Sequence, residues 1–176
     1  MTAARGHEVR RRLLAAAVEL VPERGWTAVS TRVLADRAGV TPSVVHYHFS
    51  SMQALLAEAV LGAMRAVASV VDDVLAAAES PGDAVDSMIA GFSGTDSTSV
   101  LFVEAYLAAM RDEGLRKDIS AIVDGVRQRF GDWLAERGVA APHDTAAAVL
   151  AALDGVVLHR GLGAGPSATA LRRMVS

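Results

Sequence analysis

The stretch that most constrains this chain is residues 27–52, TAVSTRVLADRAGVTPSVVHYHFSSM. Ser30 or Thr31 offers a side-chain oxygen to cap a helix running through Ala38, with Val33, Leu34 and Ala38 turned inward. Gly39-Val40 makes a tight turn. Thr41 then suits an N-cap and Pro42 the first helical position, where a missing amide hydrogen costs nothing. The spacing predicts a helix over Pro42 to Phe49. A short capped helix, a tight turn and a second short helix make a helix-turn-helix.

The flanks are helical as well. Val9, Leu13, Ala16 or Ala17, Leu20 and Val21 recur at helical spacing from about Gly6 to Arg24, and Gly25 supplies a left-handed stop. Trp26 follows as a plug beneath the next elements, and Phe49 reads as a second core plug. Ser50 or Ser51 caps a long helix over about 51–79, with Leu55, Leu56, Val60, Met64, Val67, Val71 and Val74 as its stripe. Ser80-Pro81-Gly82 ends it, and a helix starting at Asp83 or the serine runs to about Gly91. After a polar loop from Ser93 to Thr98, helical patterns cover about 99–111, 114–137 and 143–161. Gly161, Gly163, Gly165 and Pro166 form a breaker, leaving room for one short helix in the last ten residues. Alanine is abundant and alternating β-branched runs are scarce, so the fold class is all-α. The expected organisation is a three-helix head over 1–50 and a helical body over 51–176.

Composition narrows the classes. Hydrophobic residues make up 52% and charged residues 21%, the profile of a soluble globular chain. The absence of cysteine excludes a disulfide scaffold and thiolate zinc sites. No apolar run approaches the roughly 18 residues needed to span a bilayer. Arg10, Arg11 and Arg12 precede Leu13 to Val18 in the manner of a signal peptide. Glu19, Pro22, Glu23 and Arg24 then break that stretch, which suits an amphipathic helix in a cytoplasmic protein that meets no membrane. His46 and His48 lie two residues apart and cannot share a helix face, so no metal and no cofactor is expected. Gly91-Phe92-Ser93-Gly94 is one residue short of a nucleophile elbow, and the late glycines lack the strand of a dinucleotide site, so no enzyme is expected.

Net charge is −3, but it is unevenly spread. Residues 1–50 hold seven arginines against four acids, a net of +3, and the remainder carries −6. A basic head on an acidic body is what a chain shows when one part meets phosphate. A helix-turn-helix lays its second helix in the major groove. Ser43, His46, Tyr47 and His48 can donate to bases or phosphates there, Val44 can meet a thymine methyl, and Arg32 can reach a guanine edge or a phosphate.

The segment resembles the amino-terminal pattern of the tetracycline-repressor (TetR) type of bacterial regulator. The residues that carry this are Leu13-x-x-Ala16-Ala17, Gly25-Trp26, Thr31, Leu34-Ala35, Ala38-Gly39-Val40, Thr41-Pro42-Ser43, Tyr47-His48-Phe49 and Leu55-Leu56, over about residues 9–60. The resemblance implies phosphate contacts at Thr31, Tyr47 and His48, and base contacts at Arg32, Pro42, Ser43 and His46, with Thr41 and Val44 in the same face. It implies a homodimer on a palindromic operator in double-stranded DNA, and repression relieved by a small apolar or amphipathic effector. Three departures stand out. His46 replaces a usual tyrosine, Val44 a common hydroxyl residue, and Met52 a lysine that grips phosphate.

In the body, Met64, Val67, Met88, Phe92, Phe102, Tyr106, Met110, Phe130 and Trp133 either fill a core or line an effector pocket; the resemblance favours the pocket. From Ala146 to Leu158 only Asp154 is charged, so that helix is apolar nearly all round. Ala147, Ala148, Ala151, Ala152, Gly155 and Leu158 would allow a second copy to approach closely across a two-fold axis. The competing readings are a helical ligand carrier or enzyme with a vestigial helix-turn-helix, and a DNA-binding protein with a filled core and no effector.

Overall fold

The computed structural model describes residues 3–92, 94–163, 171–173 and 175. Among them are eight α-helices and no strand: α1 Ala3–Arg24, α2 Thr31–Ala38, α3 Pro42–His48, α4 Met52–Ala77, α5 Pro81–Ala90, α6 Ser97–Ala109, α7 Glu113–Ala135 and α8 Pro142–Gly161. A 3₁₀ turn at Trp26–Ala28 joins α1 to α2. The expected boundaries hold to within about three residues. Gly165, Pro166 and most of the proposed last helix lie outside the described residues.

Local chemistry explains the punctuation. Ser30 caps α2, its hydroxyl accepting from the Val33 amide at 3.3 Å, which contributes about 1 kcal/mol. Gly39 closes α2 at φ 65°, a left-handed conformation glycine adopts without steric cost. Ser80 caps α5 just ahead of Pro81. Thr41 differs from expectation: it stands at the N-cap of α3 without a side-chain cap bond, because its hydroxyl pairs with that of Ser43 at 2.9 Å.

The described chain divides into two compact units, residues 1–64 with 100–116, and residues 65–99 with 117–176. In the first, α1 packs on α2 and α2 on α3. Leu13, Leu20, Val21, Leu34, Val45, Leu55, Leu56 and Val60 are buried there, each large aliphatic side chain contributing roughly 1.5–3 kcal/mol. Trp26 and Phe49 are buried too, as their plug role requires. In the second unit, Leu75, Val85, Met88, Ile89, Phe130, Leu134, Val149, Leu153 and Val156 form one cluster. There α7 and the start of α8 nearly touch, since a Cβ on Gly131 would lie 2.5 Å from the His143 ring and 3.1 Å from its Cα.

Helix α4 corrects one expectation. By length and composition it is apolar enough to cross a membrane, although charges interrupt it. Two of those charges are taken up within the protein, Glu58 by Arg10 and Asp72 by Arg129 at 2.6 Å. Leu55, Leu56, Ala59, Val60, Leu61, Met64 and Leu75 on the same helix are buried against other elements. Its apolar character serves packing chiefly from Leu55 to Met64 and again at Leu75.

Candidate nucleic-acid interface

Helix α3 has one buried side and one exposed side. Val45 and the following Phe49 are buried, whereas Thr41, Pro42, Ser43, His46 and Tyr47 are exposed. Tyr47 is 77% exposed, an unusual placement for a large ring with nothing outside to meet. Val44 and His48 are half-buried at the edges of this face. The Tyr47 and His48 rings meet edge-on at 5.1 Å. His48 also has a buried Nε2 without a hydrogen-bond partner, and its Cε1 lies near Gly6 of α1. At the first turn of α2, Thr31 is half-buried and Arg32 exposed.

The basic character of the head is mostly consumed internally. Arg10 pairs with Glu58 and lies 4.6 Å from the Phe49 ring centroid. Arg11 pairs with Glu8 at 2.8 Å. Arg12 donates to the carbonyls of Ala38 and, at 3.1 Å, Gly39, completing the end of α2. Arg37 binds Glu23 at 2.6 Å and Glu19 at 3.0 Å. These hydrogen bonds hold the Glu8 and Glu23 carboxyls below their ordinary pKa and raise Arg37 further. Exposed pairs like these are largely screened by solvent and add little to stability. Among the described residues, Arg32 at the start of α2 is exposed and without an ion pair, as are Arg5 and Arg24.

An exposed short helix rich in ring and hydroxyl donors, packed on α2, is the arrangement that a major-groove reading helix requires. Residues 13–59 match the tetR family of bacterial regulatory proteins, and residues 79–176 match the tetracyclin repressor-like C-terminal domain. The chain belongs to the TetR family. It is a DNA-binding transcriptional regulator.

Among relatives of this TetR-family chain, the HTH-type transcriptional regulator BetI of Rhizobium meliloti (strain 1021) is 28% identical, across 89% of the chain and 80% of BetI. The regulator SCO7518 from Streptomyces coelicolor A3(2) superposes with a TM-score of 0.78 at 28% identity, covering 96% of this chain and 99% of that one. A regulator from Saccharomonospora viridis, solved in complex with choline, superposes with a TM-score of 0.80 at 19% identity, covering 96% and 94%.

The remaining predicted residues are scattered between the two units. Met64, Phe102, Tyr106 and Met110 fall in the unit that holds the helix-turn-helix, and Val67, Met88, Phe92, Phe130 and Trp133 in the other. Met64, Met88 and Phe130 are buried, while Val67, Phe92, Phe102, Tyr106 and Trp133 are half-buried. The Phe130 and Trp133 rings lie 6.3 Å apart, and the Arg137 guanidinium stacks 3.6 Å from the Trp133 centroid. Met110 departs from the expected interior position. It is 79% exposed because it follows Ala109 at the end of α6, about 100° further round than that buried residue.

On α8, Ala146, Val149, Leu153 and Val156 face inward. Ala148, Ala151 and Leu158 are exposed, and Ala147 and Gly155 half-buried; Ala152 packs against the chain's own core. Asp154 stands on the outer side, where surrounding apolar surface pushes its carboxyl pKa up against the opposing pull of Arg127. Sequence reading missed Glu104 and Gln53, which reach the turn between α1 and α2. The available signal was that Glu104 is the lone charge between Thr98 and Met110.

Proposed function

We propose that this regulator is a repressor released from a palindromic operator by a small apolar or amphipathic molecule. The observation that carries the DNA half is α3, with donors and a bare tyrosine ring outside and Val45 inside. Thr31, Tyr47 and His48 take the phosphate contacts. Arg32, Pro42, Ser43 and His46 meet base edges, with Thr41 and Val44 alongside. Two copies join through the outer face of α8, using Ala147, Ala148, Ala151, Gly155 and Leu158. The unpartnered apolar surface on that face supports the pairing. The head over 1–50 reads DNA and the body over 51–176 senses and dimerises. The protein works in the cytoplasm, without enzymatic activity.

Selection of bound sequences from a random DNA pool tests operator, palindrome and spacing together. In a two-fold dimer the half-sites should sit roughly 34–36 Å apart or somewhat more. Tyr47→Ala should weaken binding about ten-fold on every sequence, whereas His46→Ala should change the preferred base at one position. Identical behaviour of the two variants would overturn the division into phosphate and base contacts. Choline is a reasonable first effector probe, since the Saccharomonospora viridis regulator holds it. Titration of the selected complex reads release directly, and sedimentation at micromolar concentration reads the dimer.

A further inference from the structure

The turn between α1 and α2 is held by a residue far away in sequence. Gly25 precedes the 3₁₀ turn at φ 85° and ψ 152°, a conformation that L residues rarely adopt. A glycine has no side chain with which to cap the amide that follows it. That amide, the N–H of Trp26, donates instead to Oε2 of Glu104 on α6 at 2.7 Å. Both Glu104 carboxylate oxygens lie 3.8 Å from where a Cβ on Gly25 would stand, so the carboxylate sits directly over the glycine. The other end of Trp26 is tied as well, its indole N–H donating to Oε1 of Gln53 on α4 at 2.9 Å. All of these residues belong to one compact unit.

Trp26 is 7% exposed, Val29 is buried just after it, and Ser30 then caps α2. The place of Trp26 therefore sets where α2 begins, and α3 packs on α2. Helices α4 and α6 both continue beyond this unit into the other one. Two of the helices that run from one unit into the other thus grip the same residue, α6 by its main chain and α4 by its side chain.

We infer that Glu104 is a positioning residue for DNA binding: its carboxylate caps the Trp26 amide from α6 and fixes the entry of α2, and with it the aim of α3. The inference rests on DNA binding and does not require an effector. If the proposed effector exists, a movement of α6 that withdraws this cap is a direct route from the body to the recognition helix.

The role depends on reach and acceptor geometry rather than on charge. Glu104→Gln keeps an oxygen at the same distance, whereas Glu104→Asp keeps the charge but is one methylene too short. Glu104→Ala removes the acceptor. Against an operator selected with the wild-type protein, Gln should bind within about two-fold of wild type. Asp and Ala should lose roughly ten-fold, as expected when an amide is left without its acceptor. Hydrogen exchange at the Trp26 amide should accelerate in Asp and Ala and stay protected in Gln. All measurements are made well below each variant's melting midpoint, and the Gln–Asp pair decides the matter if Ala does not fold.

Retention of affinity by Asp with loss in Gln would make the role one of charge and overturn the inference. Equal loss in all three variants, or wild-type binding in all three, would overturn it too. A wild-type protein that selects no DNA would instead count against the operator reading, before any variant is made.

Discussion

Gly94→Ala is expected to destabilise the protein by roughly 2–4 kcal/mol, from left-handed backbone strain together with overpacking. Gly94 sits between α5 and α6 at φ 85°, where an L side chain is strained whatever the space. Space is also lacking. A Cβ there would fall 2.5 Å from the Val157 carbonyl oxygen, 2.7 Å from the Arg160 Cβ and 2.7 Å from the Gly161 nitrogen. Two of these are backbone atoms of α8, which cannot swing aside as a side-chain tip would. Arg160 reinforces the crossing, because its guanidinium donates to the Ile89 carbonyl at 2.9 Å and the Phe92 carbonyl at 2.5 Å. At about 2–4 °C per kcal/mol for a chain of this size, the midpoint should fall on the order of 5–15 °C. Scanning calorimetry reads it, and a loss under about 1 kcal/mol would mean the crossing is looser than the geometry shows.

Phe130→Ala should cost more, about 3–5 kcal/mol. The ring is fully buried on α7, within a cluster that includes Leu75, Val85, Met88, Ile89, Leu134 and Val149. Removing it takes away the transfer free energy of a phenyl group and leaves a void that helices on several sides cannot all collapse into. The measurement also bears on the effector. If Phe130 faces an open pocket, its truncation enlarges an existing space and the loss should stay below about 1.5 kcal/mol. A loss in the full range marks it as packing, and then effector contacts belong to half-buried residues such as Phe92 or Trp133. Denaturant unfolding of the two proteins separates the outcomes.

Much of the helix-turn-helix was legible because its signals are local. Ser30, Gly39 and Pro42 each act within about four residues of themselves, through a cap, a left-handed turn and a fixed φ. Periodicity named the buried side of α1, and that of α4 as far as Met64, for the same reason: a helix repeats every 3.6 residues whatever it later packs against. The exposed face of α3 followed from its buried one. The arginines were a different matter. Their number in the head suggested a broad cationic surface, yet Arg10, Arg11, Arg12 and Arg37 are each engaged within the protein. Such pairing depends on which helix lies alongside. Met110 shows the limit of periodicity at a helix end, where one residue's rotation separates interior from solvent.

Local signals were enough to establish that the chain is helical, where the short helices start and stop, and that α3 turns its donors outward as a TetR-type helix does. Which arginines are paired within the protein, and what holds the turn ahead of α2, follow only from the packing of distant segments. Trp26 and Glu104 are 78 residues apart, and nothing local to either predicts their meeting. Caps and turns are settled by bonds that span a few residues. A carboxylate that completes a distant turn is settled only when packing brings α6 beside it, and that depends on every side chain in between.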